Sequence, residues 1–220
     1  TKDEKNFKKS KDLSEKISKI ETNQLKIQSQ LNEILSYIPN IAQNDVPIGK
    51  NEKDNKVVEN VGQKKKFTFK LKSHAEINKK DLDLEIATKL SGARFVVLKD
   101  KIALLERALI NFMLDIHTKK FGYIEISPPL IVNHEVMYGT GQLPKFENDQ
   151  FELISDDKKN RKFLIPTAEV VLTNLVKDTI IDEHNLPLRY VAATPCFRRE
   201  AGSYGKDTKG MIRQHQFYKV

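Results

Sequence analysis

A heptad pattern near the start of the chain is the feature that most constrains how it can fold. Apolar residues recur at steps that alternate between four and three, and Gln24 fills the one missing place: Leu13, Ile17, Ile20, Ile27, Leu31, Ile34 and Ile38. This spacing puts one apolar stripe along a helix and is typical of a coiled coil. Leu25 and Leu35 widen the stripe, and polar residues fill the remaining positions. The pattern predicts a long helix that packs along one face, and no other segment of the chain offers it a comparable seam.

Pro39 predicts the end of this helix, because proline lacks the backbone donor that a helix needs. The following residues to about Lys66 are rich in Asn, Lys, Glu and Asp, with interspersed proline and glycine, as in a connector. We therefore interpret residues 1–40 as a helical arm, 41–66 as a connector and 67–220 as a folded core. A chain of 220 residues is long enough for an arm and a single core.

The core pattern alternates between strands and helices. It predicts strands at residues 67–71, 95–98, 123–126, 163–165, 190–199 and 211–218, and helices at residues 82–90, 102–117 and 167–176. Thr167 is expected to cap the last helix. The helix at 102–117 is so apolar that it must be covered on more than one side. Strands that pair through hairpins beside helices indicate an antiparallel α+β core.

Composition excludes some classes of protein. Lys and Arg number 38 against 30 Asp and Glu, a net charge of +8 that would attract a polyanion, although a lysine-rich solvated surface explains it equally well. Cys196 is the only cysteine, which excludes an intrachain disulfide and a cysteine zinc site. The five histidines lack ligand spacing, so we expect no metal site on these residues. No apolar run approaches the ~20 residues of a membrane span, and we expect a cytoplasmic protein.

Two strand-like segments, residues 196–200 and 211–217, enclose a glycine-rich loop and predict a β-hairpin. Alternation along a strand brings charged and aromatic side chains to one surface: Arg198 and Glu200 from the first segment, and Arg213, His215 and Phe217 from the second. Guanidinium groups fit phosphate oxygens, an aromatic face stacks on a base, and a carboxylate accepts from an exocyclic amine. A surface hairpin with cross-strand salt bridges explains the spacing equally well.

The hairpin resembles motif 2 of the class II aminoacyl-tRNA synthetases. The resemblance is carried by Arg198-Arg199-Glu200 and the later Arg213-x-x-x-Phe217, and the stretch from Thr194 to Ser203 is similar to the seryl-tRNA synthetase family in particular. It implies an ATP site formed by Arg198, Arg199, Glu200, Arg213 and Phe217. Arg198 would be the catalytic arginine on the α-phosphate, Glu200 would contact the adenine amine, Arg213 would assist ATP binding, and Phe217 would stack on adenine.

The resemblance continues upstream. Residues 90–95, 105–114 and 122–129 are similar to the same family, and the last looks like motif 1. In class II enzymes this helix and strand form the dimer interface, so the resemblance implies a homodimer. Without the family, a helix buried within its own core remains an open alternative. The loop at residues 138–146 is similar to a family loop near the active site.

A serine-binding segment is implied by Pro166-Thr167-Ala168-Glu169. In the family the Thr-Ala-Glu segment contributes to serine binding. A carboxylate such as that of Glu169 suits an ammonium group, and Thr167 suits a small polar substrate. A helix cap followed by a first-turn acid is the alternative, and both interpretations can hold together.

The resemblance implies a serine–tRNA ligase of the bacterial or organellar type, with an antiparallel-sheet class II core preceded by a coiled-coil arm. Residues 1–40 would be the second helix of the arm that reaches the tRNA. ATP would activate L-serine to seryl-adenylate, and the seryl group would pass to tRNA(Ser) and also tRNA(Sec). Mg²⁺ is expected, with ligands beyond Val220. Arg199, Gln214 and Tyr218 depart from many relatives. Of these three only Arg199 is among the residues assigned to ATP, and the principal ligands Arg198, Glu200, Arg213 and Phe217 match the family pattern.

The motif content leads to a further expectation and leaves two alternatives. Both ends of the family pattern, including motif 3, lie outside the 220 residues, so we expect this piece alone to form no seryl-adenylate. A different class II synthetase or a ligase that charges a carrier protein is disfavoured by the heptad seam. A decayed copy that only binds RNA or dimerises remains open.

Overall fold

The computed structural model describes residues 2–157, 160–201 and 210–220. The chain divides into two compact units, Thr1–Lys64 and Lys65–Val220. The first unit contains helix α1 (Lys2–Tyr37), of 36 residues, and then an irregular segment with one 3₁₀ turn (Glu52–Asp54). The helix ends two residues before Pro39, as predicted. The seven apolar seam residues, six of them in the helix and Ile38 directly after it, are between 46% and 66% exposed in this chain, so the stripe is available for another helix.

The second unit begins with a small αβ segment. Helix α2 (His74–Ile77) precedes β1 (Leu82–Asp83), α3 (Leu84–Ser91) and β2 (Val97–Leu98), and the two strands pair antiparallel. The Asp83 carboxylate caps α3 by accepting from Ile86 N at 2.9 Å, and it pairs with Lys99 Nζ at 2.6 Å. These bonds, the one to Lys99 foremost, hold the pKa of Asp83 below its usual range.

The strand predicted at residues 67–71 is wrong, since the described residues 67–71 form no strand. The rings of Phe67 and Phe69 pack edge to face at 5.4 Å, and both remain at least half exposed. Alternating apolar residues form a strand only where a second strand supplies the hydrogen-bond ladder. The helix predicted at residues 82–90 is confirmed from Leu84 onward as α3, which ends at Gly92 with φ +94°, whereas Leu82 and Asp83 form strand β1.

Helix α4 (Asp100–Asp115) runs into one π-helical turn (Ile116–Lys120), and Gly122 follows with φ +67°. The helix was expected to be covered on more than one side, but its apolar side chains lie 38% to 60% exposed in this chain: Leu104, Leu105, Leu109, Phe112 and Met113. The alternative that α4 is buried within the core of this chain is therefore wrong for the residues that the structure describes. That a second copy of the chain covers the apolar face of α4 stays a prediction.

Three strand pairs follow α4. Strand β3 (Ile124–Glu125) pairs parallel with β6 (Tyr190–Val191), whereas β4 (Ile131–Asn133) pairs antiparallel with β5 (Lys162–Leu164). Strand β7 (Thr194–Phe197) pairs antiparallel with β8 (Gln216–Lys219). The predicted α+β class is confirmed, and the parallel β3–β6 pair is the one departure from an antiparallel arrangement among the described strands.

The hydrophobic core lies where two short helices pack on β4 and β5. These helices are α5 (His134–Gly139) and α6 (Glu169–Asn174). The buried residues of the core are Val132, Met137, Leu143, Phe163, Ile165, Val170 and Val171. The predicted cap by Thr167 is wrong, because Ala168 is the N-cap of α6 and makes no side-chain cap bond. The Thr167 hydroxyl instead accepts from Lys219 Nζ at 3.1 Å.

None of the helices in the described ranges combines the length and the apolar character that a membrane span requires.

Candidate active site

A cavity of about 380 Å³ lies beside the β7–β8 hairpin in the second unit. Four residues predicted from the sequence line it, namely Thr167, Arg198, Glu200 and Arg213. Its other walls come from residues 142–150 and from Pro166 and Ala201. The structure therefore brings the arginine and glutamate side chains of the hairpin next to the predicted serine-binding segment.

Arg198 is held through its backbone and its side chain. Its N–H donates to the carbonyl of His215 at 2.9 Å, and its own carbonyl accepts from His215 Nδ1 at 2.9 Å. Arg198 Nε donates to the Pro166 carbonyl at 3.3 Å, and the guanidinium carbon lies 5.3 Å from the centroid of the Phe217 ring. The guanidinium group is thus fixed between the Pro166–Thr167 turn and Phe217, with its planar fork at the cavity.

Glu200 and Arg213 form an ion pair across the hairpin, with Arg213 Nη1 2.9 Å from Glu200 Oε2. Glu200 has φ +49°, an uncommon conformation for a residue other than glycine, and it turns the chain at the end of the first hairpin segment. The cross-strand salt bridge of the alternative interpretation is therefore present. Because both partners also line the cavity, the pair keeps one donor group and one acceptor group beside a potential ligand.

Asp149 and Gln150 line the cavity and were not predicted from the sequence. The Asp149 carbonyl accepts from Arg199 N at 2.9 Å, and its carboxylate Oδ1 accepts from Ala201 N at 2.7 Å. Gln150 is only 3% exposed and donates to the Phe146 carbonyl at 3.1 Å. Its Oε1 is buried with no partner among the described residues. A polar stretch in a loop gives no periodic signal, so only the fold shows that Asp149 supports the hairpin and that Gln150 lines the cavity.

The predicted serine-binding residues border a second cavity of about 320 Å³, lined by Thr167, Ala168, Glu169 and Lys219 among others. Thr167 lines both cavities, which therefore meet at this residue. Glu169 is exposed in the first turn of α6, where its carboxylate also complements the helix dipole. Of the alternative interpretation, the first-turn acid is therefore present at Glu169, whereas the cap by Thr167 is not.

Two predicted ATP-binding residues lie elsewhere. The Arg199 side chain is exposed and does not line the 380 Å³ cavity. Phe217 lines a different cavity of about 550 Å³, together with Phe95 and Met211, and turns its ring to Arg198. Ser203 of the motif 2 resemblance falls outside the described residues. Within the described ranges, no three Asp, Glu, His or Cys side chains converge in a way that would hold a metal ion.

Comparison with known proteins supports the resemblance. The tRNA synthetase class II core domain (G, H, P, S and T) matches residues 149–220. A serine–tRNA ligase from Pelagibacter ubique is 60% identical over 222 residues, which cover 100% of this chain and 53% of that protein. The chain thus spans about half the length of the curated relatives that it matches.

Two solved structures share the fold. The seryl-tRNA synthetase from Pyrococcus horikoshii, complexed with ATP, has a TM-score of 0.83 and 33% identity, with 96% of this chain and 51% of that chain covered. The cytoplasmic serine–tRNA ligase from Naegleria fowleri, in complex with AMP, has a TM-score of 0.77 and 30% identity, with 90% and 47% covered. The resemblance drawn from the motifs is therefore confirmed: over the residues that it spans, this chain is a homologue of the serine–tRNA ligases and contains part of a class II tRNA synthetase core.

Proposed function

We propose that this chain works as part of a serine–tRNA ligase, which activates L-serine with ATP and transfers the seryl group to tRNA(Ser). The observation that carries the proposal is the cavity in which Arg198, Glu200 and Arg213 stand beside Thr167. The relative from Pelagibacter ubique bears this activity in its name, and the structure from Pyrococcus horikoshii was solved with ATP. Both agree with a site for a nucleoside triphosphate next to a small polar substrate.

The first step proposed is formation of seryl-adenylate. A carboxylate oxygen of serine forms a bond to the α-phosphorus of ATP, and the bond from that phosphorus to the bridging oxygen breaks. Pyrophosphate leaves with the electron pair. Arg198 would hold the α-phosphate, since its fork is already oriented by Pro166 and Phe217. The reaction is accelerated because the protein orients the two substrates and stabilises the charge that develops on the α-phosphate. No nucleophile from the protein takes part.

The other roles follow from the residues around Arg198. Arg213 would bind the phosphates, and Glu200 would accept from the adenine amine. Arg199 and Phe217 remain proposed as ATP-binding residues from the resemblance, with Phe217 stacking on adenine. Glu169 would pair with the ammonium group of serine, and Thr167 and Ala168 would line the serine pocket. In the second step, the terminal ribose hydroxyl oxygen of the tRNA bonds to the seryl carbonyl carbon and its proton is released to solvent. The bond from that carbon to the phosphate oxygen breaks, and AMP leaves with the electron pair.

The partners belong to the same proposal. Residues 1–40 would be the second helix of a coiled-coil arm that contacts tRNA(Ser), and tRNA(Sec) as well, with 41–66 as connector and 67–220 as part of the catalytic core. A second copy of the chain would cover the exposed apolar face of α4 together with Ile124 of β3. Mg²⁺ would accompany the triphosphate, but none of the described residues is assigned to it. The reaction would take place in the cytoplasm.

Serine-dependent exchange between ATP and pyrophosphate in a full-length enzyme that carries this sequence tests the first step. Arg198→Ala should lower the exchange rate by about 10²–10³-fold, the usual loss of one oriented donor to a charged transition state. Arg189→Ala is the matched control, because the Arg189 side chain is exposed and lines neither cavity. Equal rates for the two variants would contradict the assigned role of Arg198.

The same assay separates the alternatives. Glu169→Ala should raise the serine concentration needed for half-maximal exchange, because the substrate ammonium loses its acceptor. Exchange that depends on another amino acid would support a different class II ligase. A full-length protein that binds RNA and dimerises but catalyses no exchange would support the decayed copy.

A further inference from the structure

His74 contacts the second segment of the hairpin across 137 positions of sequence. The backbone N–H of Met211 donates to His74 Nε2 at 2.8 Å. Gly210 passes the same ring so closely that a Cβ at this position would lie 2.1 Å from His74 Nε2, and Gly210 has φ +82°. The imidazole therefore occupies the space that a side chain at position 210 would need, and it fixes the backbone at Met211.

The segment that carries His74 is itself well braced. The Glu76 carboxylate accepts from Ser73 N at 2.9 Å and from Ser73 Oγ at 2.8 Å, which closes the first turn of α2 around His74. At the end of α2, Asn78 Nδ2 donates to the Asp81 carboxylate at 2.8 Å, and the Asp81 backbone N–H donates to Asn78 Oδ1 at 3.1 Å. The backbone around His74 is therefore already ordered, which lowers the entropic cost of the hydrogen bond between His74 and Met211.

The same segment of the chain also contacts the other end of the hairpin loop. Arg94 Nη1 donates to the Glu200 carbonyl at 3.3 Å, and the Arg94 carbonyl accepts from His215 N at 3.0 Å. Residues 74–94 thus hold the chain at Glu200, before the loop, and at Met211, after it. This arrangement constrains both positions from which the loop departs and returns.

The hydrogen bond from Met211 N to His74 limits where the backbone of Arg213 can lie. Two residues span at most ~7 Å of extended chain, so the backbone of Arg213 cannot move far from a fixed Met211. The Met211 carbonyl is held as well, since it accepts from Gln214 Nε2 at 3.2 Å, and Gln214 is buried. Arg213 starts from this fixed turn and reaches Glu200 at the cavity.

We propose that His74 is a positioning residue for the nucleotide: by holding Met211, it presets Arg213 beside Glu200 before ATP arrives. His74 does not line the 380 Å³ cavity, so it would act through the backbone of Met211 and not by touching the ligand. The proposal rests on the proposed function for the identity of the ligand. Without the hydrogen bond between Met211 and His74, ATP would have to order the turn from Met211 to Arg213 as it binds, which would lower the affinity for ATP.

The test uses His74→Ala and His74→Gln in a full-length enzyme that carries this sequence. One lost hydrogen bond of about 1 kcal/mol corresponds to a roughly fivefold change in an equilibrium constant. His74→Ala should therefore raise the KM for ATP in pyrophosphate exchange about fivefold and leave the KM for serine unchanged. The amide oxygen of His74→Gln can accept near the position of Nε2, so this variant should restore much of the affinity for ATP.

Gly210→Ala provides an independent variant, since its Cβ would displace the imidazole. It should raise the KM for ATP in the same direction as His74→Ala. His184→Ala is the control, because His184 is exposed and lies in a separate 3₁₀ turn. The proposal is overturned if His74→Ala, folded by circular dichroism, leaves the KM for ATP unchanged, or if it changes the constants for ATP and serine equally. Failure of His74→Gln to restore affinity would also overturn it.

Hydrogen exchange at the Met211 amide separates this inference from the proposed function. The amide should be protected in the unaltered protein and in His74→Gln, and it should exchange faster in His74→Ala. If the enzyme shows no serine-dependent pyrophosphate exchange but the Met211 amide follows this protection pattern, the proposed function is refuted and the hydrogen bond from Met211 to His74 is supported. If the enzyme is active but the protection of the Met211 amide does not depend on His74, only the proposal that His74 holds Met211 is refuted.

Discussion

Arg198 illustrates how much of a site residue is determined by its neighbours in space. Strand alternation indicated that Arg198 could approach Phe217, and the guanidinium carbon does lie 5.3 Å from that ring. Its bond to the Pro166 carbonyl joins positions 32 residues apart and has no signal in the local sequence. Asp149 and Gln150 are similar cases, because their role depends on which loop packs beside the hairpin.

An ion cluster next to the core gives a prediction about pH. Arg161 Nε and Nη2 donate to the two Glu152 carboxylate oxygens at 2.7 Å and 2.8 Å, and Nη2 also pairs with Glu147. The guanidinium group lies over the Phe163 ring, 5.1 Å from its centroid. The hydrogen bonds from Arg161 are the main cause that lowers the pKa of Glu152 below its ordinary value of 4.5.

Arg161→Met should lower the free energy of unfolding at about pH 7 by roughly 1 kcal/mol, as for a partly exposed ion pair with good geometry. Because the pKa of Glu152 is lower in the folded state, this stabilisation is present above the unfolded pKa and is lost as the pH falls through the folded pKa. The difference between the two proteins should therefore be smaller in acid, once the pH has fallen below the lowered pKa of Glu152. Urea denaturation at both pH values measures it.

Lys162→Met is the control for Arg161→Met, because Lys162 is the neighbouring exposed cation on β5. It should change stability little at either pH. A loss for Arg161→Met that is equally large under acidic and neutral conditions would assign the effect to packing on Phe163 and not to the carboxylates.

At the scale of elements, α5 connects the core to the cavity. Met137 is fully buried between the helices and β4–β5, and its carbonyl accepts from Gln142 N at 3.0 Å and from Leu143 N at 3.3 Å. Gln142 lines the cavity. The end of α5 thus sets the start of a cavity wall, so the packing of this helix supports the geometry of the site.

Met137→Ala should lower the free energy of unfolding by about 2–5 kcal/mol, the range for deleting a large buried side chain that leaves a cavity. Urea denaturation followed by circular dichroism measures this loss. Leu90→Ala, on α3, removes a side chain that is 71% exposed and should cost less than about 1 kcal/mol. Similar losses for both variants would mean that Met137 does not belong to a close-packed core.

The elements also show how far the sequence pattern reaches. The end of α1 before Pro39 and the stop of α3 at Gly92 were predicted, because both depend on local backbone chemistry. The strand at residues 67–71 and the cap by Thr167 were wrong, because each requires a partner that the pattern cannot supply. A strand was predicted at residues 211–218, but the observed strand is Gln216–Lys219, and the turn before it directs Arg213 to Glu200.

At the scale of the whole molecule, both units expose apolar surfaces. The seam of α1 lies in the first unit, and the apolar face of α4 lies in the second. Contiguous exposed apolar surface marks sites where another helix or another chain binds. The proposed arm and the proposed dimer interface account for one surface each. The predicted site residues all lie in the second unit, so the proposed function separates tRNA binding from serine activation.

This separation leads to a prediction about the two half-reactions. The paired substitutions Ile27→Asp and Leu31→Asp place two charges in the α1 seam and should separate the arm helix from its partner. In a full-length enzyme that carries this sequence, serine-dependent pyrophosphate exchange should stay nearly unchanged, because the predicted site residues all belong to the other compact unit. Charging of tRNA(Ser) should fall by on the order of tenfold or more, which corresponds to a loss of ~1.4 kcal/mol in tRNA binding.

The matched control for the seam variant is Thr22→Asp with Ser29→Asp. Both positions are exposed and lie on the opposite side of the heptad from the seam, so the same two charges enter the same helix without disturbing its packing. If added negative charge alone repelled the tRNA, this control would lose charging as severely as the seam variant. If only the seam variant loses charging while both keep exchange, the helix pair itself is what tRNA recognition requires. Loss of exchange in the seam variant, with the second unit still folded, would contradict the division between arm and core.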